Sequence, residues 1–470
     1  MFSVLIILPL LLLMILNIPF VSAYKRSAFW AALILFALQI LFVLFPDKAI
    51  IYTYIKFNLI VDELSRVVLF CVGLVLLTSL MVGESTIKEE DQKFNFINLL
   101  MIIFAGLNGV VMVKDVFSMY LFLEITAVAS FILISMNRDK GGLEAAFKYL
   151  IMSASASVLM LSSIALLLLI AGDTNFSVIN SMIITSPHSH FIMLAIALFM
   201  CGLFIKSGLM PFHGWLPDAY SAAPSCVSVL LAGIVTKTAG VYSLIRLVTL
   251  VFVFDDPIKY ILLTIGAISI VLGALAALGQ SDFKRMLAYS SISQVGYIVI
   301  GLGSGTPLGI FGAVFHLLNH SVFKTLLFVN ATAVETQTGT RDMDKMSGLA
   351  SNMQVTGITS VLACLSAAGV PPLSGFWSKL IIILSLWMSG YYVFAVIAIL
   401  ASVLTLAYFL SMQRRVFWGK INAEFANIKE AGIGLIIPSV ALAAIMVMIG
   451  VFFPFFMNRF ILPGGNILGL

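Results

Sequence analysis

Long apolar runs, each close to the ~20 residues that a helix needs to cross a bilayer, follow one another along almost the whole chain. Hydrophobic residues make up 61% of the 470 residues and charged residues only 10%, against roughly 25% in a soluble domain. The sequence therefore predicts one all-α membrane bundle of about fourteen transmembrane helices. The runs cover residues 2–23, 28–46, 60–82, 95–112, 115–136, 147–171, 191–210, 222–250, 258–279, 285–303, 307–334, 354–388, 390–412 and 431–457.

The first run resembles a secretory signal peptide, because it ends in the small residues Val21-Ser22-Ala23. However, no Lys or Arg precedes the run, and it is long enough to span a bilayer. We therefore interpret Met1 to Ala23 as the first transmembrane helix. The runs 222–250 and 354–388 exceed one span and are expected to contain breaks, tilts or lateral segments.

The cysteines all lie inside apolar runs, and no two of them form a CxxC pair. A buried cysteine usually behaves as a small hydrophobic residue. The pattern therefore favours packing over a metal site, an iron–sulfur cluster or a disulfide. The four residues are Cys71, Cys201, Cys226 and Cys364.

Lys and Arg residues are distributed unequally between alternate loops, fifteen on one side of the predicted bundle and five on the other. Cytoplasmic loops carry the excess of Lys and Arg, so both termini are predicted to lie outside a prokaryotic cell membrane. We call the richer side the basic side. It carries Lys25, Arg26, Lys88, Lys93, Arg138, Lys140, Lys148, Lys284, Arg285, Arg341, Lys345, Arg414, Arg415, Lys420 and Lys429, and the other side carries Lys48, Lys56, Lys114, Lys259 and Arg459.

Six further basic residues lie inside the apolar runs. Each such charge costs about 2.5–3.5 kcal/mol at a helix centre on the insertion scale, so these residues are normally paired or line an ion route. Arg66 and Arg246 lie near the ends of their runs and are also long enough to extend to the interface. The full set is Arg66, Lys206, Lys237, Arg246, Lys324 and Lys379.

Three ionisable residues in the first half of the chain suggest ion chemistry. Glu124 is a lone carboxylate in its run, where an unpaired buried carboxylate tends to take up a proton. Lys206 precedes Pro211, which favours a helix break, a common device of ion sites within membranes. Lys237 follows in the next run, and an amine removed from water suits a reversible proton carrier.

His316, His320 and Lys324 follow at intervals of four residues. This spacing places three titratable groups on one helix face, about 6 Å apart at each step. Histidine titrates near neutral pH, so such a stripe can pass protons along. Two alternatives are a hydrogen-bonded polar seam between helices and a zinc site at the two histidines, although the sequence shows no evident third ligand.

Lys379 follows a second predicted helix break at Pro371 and Pro372. It thus corresponds to Lys206 in the first half, because both lysines lie beside a proline-containing interruption. This correspondence favours an internal structural repeat. Together, the ionisable residues form a row that suits a proton relay along the membrane midplane.

Specific motifs accompany these residues. They are Glu144-Ala-Ala-Phe-Lys-Tyr, Lys206-Ser-Gly-Leu-Met-Pro-Phe-His-Gly-Trp-Leu-Pro-Asp218, Ala222-Ala-Pro-Ser, Asp282-Phe-Lys-Arg-Met-Leu-Ala-Tyr-Ser-Ser-Ile-Ser-Gln-Val-Gly-Tyr297, Gly369-Val-Pro-Pro-Leu-Ser-Gly-Phe-Trp-Ser-Lys379 and, near the N-terminus, Asp62-Glu-Leu-Ser65. With them, the chain over roughly residues 110–385 resembles the antiporter-like subunits shared by respiratory complex I, Mrp-type Na+/H+ antiporters and membrane-bound hydrogenases. Two segments, Asn319-His-Ser-Val-Phe-Lys324 and Thr338-Gly-Thr-Arg-Asp342, look most like those of hydrogenase-linked and Mrp D-type subunits. An end near residue 470 argues against the longest complex I and Mrp subunits.

The resemblance implies fourteen transmembrane helices, with two inverted five-helix repeats and breaks in helices seven and twelve. It implies helices 1–4 in residues 1–112, an antiporter-like core in 113–412, and a loop and last helix in 413–470. Family members bear no cofactor, and they move H+ or Na+ beside other membrane subunits, including further antiporter-like ones. The implied relay consists of a Glu124–Lys206 pair, Lys237 as connecting lysine, His316, His320 and Lys324 at the centre, and Lys379 at the end.

Two other classes of function remain open from the residues alone. A stand-alone secondary transporter of a small solute would more often show one central pocket than a relay across several helices. An enzyme with its own redox or quinone site finds no Cys cluster, haem-type ligation or nucleotide-binding glycine pattern in the sequence. His213 and Asp218 lie in a proline-rich turn, where they more often secure a loop than catalyse. We therefore predict a non-redox, ion-translocating subunit with no catalytic, cofactor-binding or metal-binding residue, and no nucleic-acid partner.

Overall fold

A computed structural model describes residues 3–18, 25–44, 59, 61–186 and 189–456. Throughout these ranges the regular elements are helices, accompanied by three isolated β-bridges and no β-strand. The all-α fold class is therefore confirmed, and twelve of the described helices are long and apolar enough to cross a membrane. The Val21-Ser22-Ala23 segment and the residues Lys48, Lys56 and Arg459 lie outside the described residues.

The helices follow the apolar runs closely. In the first half they are α1 Val4–Leu16, α2 Lys25–Leu44, α3 Glu63–Thr86, α4 Glu90–Met112, α5 Val116–Ile134, α6 Lys140–Ala171, α7 Phe176–Thr185, α8 His190–Ser207, α9 Trp215–Ala222 and α10 Ser225–Leu250. In the second half they are α11 Asp256–Leu278, α12 Phe283–Gly303, α13 Pro307–Thr338, α14 Gln354–Ala368, α15 Ser374–Met388, α16 Tyr392–Val416, α17 Ile433–Val451 and α18 Phe453–Phe456.

Aspartate side chains fix the first turn of several of these helices. The first backbone N–H groups of a helix have no partner within it, and an Asp at the N-cap accepts a hydrogen bond from one of them. This explains why the helices begin where short polar segments meet the apolar runs. The bonds run from Ser65 N to Asp62, from Ser118 N to Asp115, from Gly142 N to Asp139, from Ile258 N to Asp255 and from Arg285 N to Asp282.

The helices that carry most of the predicted relay lie at the centre of the bundle. The most apolar stretch of α10 is buried entirely inside the protein. In α12 and α13, 94% of the corresponding stretch is buried. In the peripheral helices α6 and α16 the buried share is only 33%. Charged residues on α10 and α13 are therefore surrounded by protein and not by lipid, which is the usual position for functional charges in membranes.

The predicted number of fourteen spans and the inverted repeats stay predictions. The first run forms a described helix of only 13 residues, α1, and the run 354–388 forms two helices of 15 residues, α14 and α15. Each is shorter than the ~20 residues of a regular span. The structure also adds two short helices that the runs did not predict, α7 between α6 and α8, and α9 between α8 and α10.

Candidate functional site

The first helix interruption lies directly after Lys206. Helix α8 ends at Ser207 and α9 begins at Trp215, and Pro211 lies between the two. The Trp215 indole N–H donates a hydrogen bond to the Ile205 carbonyl oxygen at 3.0 Å. This bond satisfies one of the carbonyl groups that the interruption frees, as required for irregular backbone at membrane depth. Lys206 is thereby held in the last turn of α8.

Glu124 of α5 and Lys206 of α8 form an ion pair. The lysine Nζ lies 2.9 Å from Glu124 Oε1 and also donates to Ser153 Oγ at 3.2 Å. Ser157 donates to the same carboxylate oxygen at 2.6 Å. The two serines stand one helical turn apart on α6, so this helix supplies neutral partners to both charges. The lysine side chain is 5% exposed and the glutamate 28%, so the pair lies at the edge of the protein interior.

A small cavity, about one water molecule in size, adjoins this ion pair. The residues with polar side chains that line it are Thr126, Tyr149, Ser153, Lys206, Trp215 and Thr236. A buried water needs two to four polar partners, and this set can provide them. Because Thr236 precedes Lys237 on α10, the cavity lies between the ion pair and the helix that carries the next lysine.

Helix α10 departs from regular α-helical geometry on both sides of Lys237. Residues 231–235 and 237–242 form π-helical turns, in which backbone bonds span five residues instead of four. The buried Lys237 amine donates to the Ala232 carbonyl oxygen, five residues earlier. Turns of this kind are rare and concentrate at functional sites. The sequence predicted a break, tilt or lateral segment in the run 222–250. The structure instead shows one continuous helix over Ser225–Leu250 that contains this pair of widened turns.

Two helices approach each other closely beside the first interruption. A Cβ atom placed on Gly240 of α10 would lie 2.5 Å from both the Cα and the backbone N of Ser207. Real Cβ atoms do not make contacts this short, so only glycine fits at this position. The contact fixes the distance between the end of α8, which carries Lys206, and the widened turns that carry Lys237.

His316, His320 and Lys324 follow one another along α13, and all three are buried. The two imidazole rings stack with their centroids 6.3 Å apart. His316 Nδ1 lies 2.9 Å from Ser378 Oγ, and Lys324 donates to the Leu287 carbonyl oxygen at 3.0 Å. Lys324 also bonds to the Ser290 hydroxyl group. Helix α13 therefore presents these groups to α12 and α15.

The imidazole of His320 has no hydrogen-bond partner at either nitrogen within the part of the chain that the structure describes. The amines of Lys237, Lys324 and Lys379 all lie within electrostatic reach of this ring. Buried polar groups without protein partners usually bond to ordered water. His320 thus occupies the junction between α10, α13 and the second interruption, and water suits its ring nitrogens there.

The second interruption separates α14 and α15, and Pro371 and Pro372 lie within it. Lys379, on the second turn of α15, donates to the Ala368 carbonyl oxygen at 3.4 Å. This carbonyl belongs to the last residue of α14. The lysine amine also lies 4.3 Å from the centre of the Tyr297 ring, within the range of a cation–π contact. Each half of the chain therefore places a buried lysine beside an interrupted helix.

Among the described residues, Lys206 is the only one of these four lysines that forms an ion pair. Lys237 and Lys379 bond to backbone carbonyl oxygens, and Lys324 bonds to a carbonyl and a hydroxyl oxygen. The site is thus asymmetric: a charge-balanced pair at one end leads to a series of basic groups. Such groups can exchange protons without any change of covalent structure.

Of the two alternatives that the sequence left open for Arg246, the structure shows a buried, paired charge and not a side chain that extends to the interface. Its side chain is 3% exposed, and two of its nitrogens bond to the carboxylate of Asp62, at 2.5 and 2.8 Å. Burial raises the pKa of Asp62, but the hydrogen bonds and charge of Arg246 outweigh it and, with bonds from Ser65, lower the pKa to about 2. Arg66 is more exposed and pairs with Glu63 at 2.8 Å.

Lys284 also differs from its interpretation as a loop residue of the basic side. It lies at the start of α12, is buried, and pairs with Glu335 of α13 at 2.6 Å. Ser225 bonds to both of these side chains. The sequence did not reveal this pair, because the two residues are far apart in the chain. Each also stands near a helix end, where charges of loops are common.

Asp218 secures the end of the first interruption. Its two carboxylate oxygens bond to Lys148 at 2.8 Å and to Arg285 at 2.6 Å. His213 contacts the Pro211 carbonyl oxygen at 3.2 Å. Asp218 lies in the first turn of α9 and not in a turn as the sequence suggested, so its contacts join α9 to α6 and α12, whereas His213 lies in the interruption itself. For the zinc alternative at His316 and His320, the described ranges contain no group of three or more His, Cys, Asp or Glu residues that could hold a metal ion.

Known proteins are similar to this chain in both sequence and fold. The family model described as "NADH:quinone oxidoreductase/Mrp antiporter, TM" matches residues 113–405. The D-type subunit of the Na(+)/H(+) antiporter of Alkalihalophilus pseudofirmus is 32% identical over 83% of this chain and 80% of its own length. The N-type subunit of the NADH-quinone oxidoreductase of Desulforudis audaxviator is 36% identical over 68% of this chain and 64% of its own length. A chain of the Mrp complex from Dietzia sp. superposes with a TM-score of 0.89 and 23% identity, over 99% of this chain and 98% of that one.

Proposed function

Because the chain belongs to the NADH:quinone oxidoreductase/Mrp antiporter transmembrane family, we propose that it moves protons or sodium ions across the membrane within a multisubunit complex. The observation that carries the proposal is the Glu124–Lys206 ion pair, separated from the helix of Lys237 by a cavity of about one water molecule. An ion pair beside a hydrated cavity can change its protonation without a large rearrangement.

The proposed relay begins at this pair. While Glu124 holds its charge, it stabilises the charged form of Lys206. When Glu124 moves away or takes up a proton, Lys206 becomes a buried and unpaired charge, which is unfavourable. Lys206 then releases its proton through water in the adjoining cavity toward Lys237. The ion pair thus acts as the switch of the relay.

The second half of the relay consists of the basic groups on α13 and α15. His320 lies within electrostatic reach of Lys237 and Lys379, and both of its ring nitrogens lack a partner among the described residues, so it can receive and pass on a proton. His316 continues the stripe, and Ser378 links it to α15, the helix of Lys379. We propose that residues 113–412 form the translocating core and that Lys379 is its terminal lysine.

A stand-alone transporter of a small solute, the alternative that the residues left open, is not supported. The matching proteins are subunits of an antiporter and of a quinone oxidoreductase, and the matching fold comes from a chain of the Mrp complex. We propose that this chain likewise works beside other membrane subunits, including further antiporter-like ones. It would lie as a multi-pass protein in the prokaryotic cell membrane and would need no cofactor of its own.

The function is tested by purifying the complex from native membranes with a tag on this chain and reconstituting it in lipid vesicles. We expect other membrane subunits to copurify and an imposed pH or Na+ gradient to be dissipated by exchange, measured with fluorescent indicators inside the vesicles. Lys237→Met should remove the exchange from an assembled complex. Lys259→Met, a change in a lysine that pairs near the surface with Asp256, should leave it intact. The proposal would be contradicted if this chain purified without other membrane subunits, or if the Lys237→Met variant exchanged ions normally.

The basic side is expected to face the cytoplasm. Reporter domains fused after Arg26 and after Arg415 should therefore both read as cytoplasmic, because both positions belong to this side. Reporter activity is measured with an alkaline phosphatase and a fluorescent protein at each position. Opposite results at the two sites would show that the number of spans between them is wrong.

A further inference from the structure

The end of helix α17 lies against the second interruption. Gly450, in the last turn of α17, is buried, and a Cβ atom placed on it would lie 2.5 Å from the Pro372 carbonyl oxygen and 2.6 Å from Ser374 N. Real Cβ atoms do not make contacts this short, so only glycine lets the two backbones approach this closely. The proposed relay does not use α17, yet this helix touches the segment that separates α14 from α15.

Trp377 of α15 joins the same two elements through its side chain. Its indole N–H donates a hydrogen bond to the Gly450 carbonyl oxygen at 3.0 Å. The last carbonyl groups of a helix have no partner within it, so this bond satisfies one of those at the end of α17. The indole ring also stacks on the ring of Phe453, the first residue of α18, with centroids 4.8 Å apart and planes 8° apart. We call Trp377, Gly450 and Phe453 the α17 clasp.

The two interruptions are secured by tryptophans in different ways. In the first, the Trp215 N–H donates to the Ile205 carbonyl oxygen, which belongs to α8, the helix that the interruption ends. In the second, the Trp377 N–H bonds to α17, which is neither of the two helices that the interruption separates. The second interruption therefore depends on a third helix for this contact.

Helix α17 is also attached to the other side of the second interruption. Glu430, three residues before α17, accepts hydrogen bonds from Val355 N at 2.7 Å and from Thr356 Oγ1 at 2.6 Å, both in the first turn of α14. Within the membrane, Ser439 of α17 donates to Asn330 of α13 at 3.1 Å. Helix α17 and the residue before it are thus tied to the start of α14 at one end and to the start of α15 at the other, so they fix these two helices relative to each other.

The clasp and the terminal lysine lie on nearly opposite faces of α15. Trp377 and Lys379 are two residues apart, which separates their side chains by about 160° around the helix axis. The clasp holds one face of α15 against α17, while the other face presents the Lys379 amine to the Ala368 carbonyl oxygen at 3.4 Å and to the centre of the Tyr297 ring at 4.3 Å. A rotation of the first turns of α15 would move the amine away from both partners.

We propose that the α17 clasp positions Lys379, with Trp377 and Gly450 as positioning residues that act through the backbone of the second interruption. The consequence for ion movement rests on the proposed function, whereas the effect on the interruption itself can be measured without transport. The competing interpretation is that the clasp only adds stability to the bundle.

Trp377→Phe tests the clasp with the least disturbance, because it keeps an aromatic ring against Phe453 but removes the indole N–H. In the purified complex in lipid nanodiscs, we expect the backbone amides of residues 373–376 to exchange with deuterium about fivefold faster, as expected for the loss of one neutral hydrogen bond. Peptide mass spectrometry measures this rate. Trp387→Phe is the matched control, because Trp387 also lies on α15 but is 52% exposed and outside the clasp. It should exchange like the unsubstituted complex.

The reactivity of single lysines separates positioning from stability. Acetic anhydride crosses bilayers and converts a neutral amine into an amide with release of acetic acid. We expect Trp377→Phe to acetylate severalfold faster at Lys379 and at an unchanged rate at Lys206, in the first half of the chain. Gly450→Ala, which forces α17 away from the interruption, should have the same effect. Its matched control is Gly432→Ala, just before α17, where a Cβ meets no atom within 4 Å.

Both clasp variants should also exchange ions more slowly per assembled complex. Unchanged deuterium exchange and acetylation in both variants, or equal increases in acetylation at Lys206 and Lys379, would overturn the clasp as a positioning device. Faster labelling of Lys379 with normal ion exchange would contradict its role in transport. If the unsubstituted complex shows the expected difference in labelling from Trp377→Phe but exchanges no ions, the proposed function fails and the clasp stands.

Discussion

Glu124→Gln is expected to abolish ion translocation while the complex still assembles. The substitution keeps the shape of the side chain and its ability to bond to Ser157 and Lys206, but it removes the charge that balances the buried lysine. Removing one partner of a buried ion pair leaves the other charge uncompensated, at a cost of about 3–5 kcal/mol. Lys206 is then no longer held in its charged form, and the switch cannot operate. Membrane vesicles carrying the variant are assayed for driven pH or Na+ gradients, and native gels report assembly.

Two further variants test whether the charge of Glu124 is the cause. Glu124→Asp keeps the charge on a shorter side chain and should retain part of the activity. Glu144→Gln removes a carboxylate from the exposed pair that Glu144 forms with Lys148, and it should translocate normally because exposed pairs contribute little. If assembled Glu124→Gln translocates normally, the pair only joins two helices and the switch is refuted.

Gly240→Ala is expected to lower both translocation and stability. The added Cβ would overlap the backbone of Ser207, whose Cα and N lie 2.5 Å from its position. Backbone atoms cannot move aside as a flexible side chain can, so α8 and α10 must separate. Overpacking of this kind costs about 1–3 kcal/mol. The separation displaces Lys206 from the widened turns of α10, and we expect slower ion exchange together with a lower thermal inactivation temperature of the purified complex.

Gly214→Ala is the matched control for this substitution. Gly214 lies in the same interruption, at the start of α9, and a Cβ placed there meets no atom within 4 Å. Both substitutions add one methyl group to a glycine, so a difference between them reports the contact with Ser207. Equal behaviour of the two variants would show that the approach of α8 and α10 has no role in exchange.

The ionisable residues of the site could be found from the sequence because charge is rare in the apolar runs. Glu124 and Lys206 stood out as lone charges, and each needed a partner of opposite sign. The residues between them in the chain carry no information about distance, so only the structure brings the two within 2.9 Å. Ser153 and Ser157, which support the pair, were missed, because serines are common in transmembrane helices. Their spacing of one helical turn was the available signal.

Other features could not be predicted because they depend on packing. Arg246 lies near the end of an apolar run, where an interfacial position is common, and only the placement of α3 beside α10 brings Asp62 to it. Lys284 was counted with the loops for the same reason, although Glu335 buries and balances it. The widened turns of α10 have no sequence signal of their own beyond glycines that favour close approach. For Arg246 and Lys284 the difference arises because a residue distant in the sequence changes the environment of a charge.

The widened turns around Lys237 also make α10 adjustable at low cost. A π turn holds one residue more than an α turn, and this surplus residue can pass to the neighbouring turn by exchanging a few backbone hydrogen bonds. Each such step rotates the intervening side chains by about 100° around the helix axis, because successive residues are spaced by that angle. Lys237 is the first residue of the second π segment, so a single step would redirect its amine. A helix that stays continuous can thus alternate the direction in which it presents a charge.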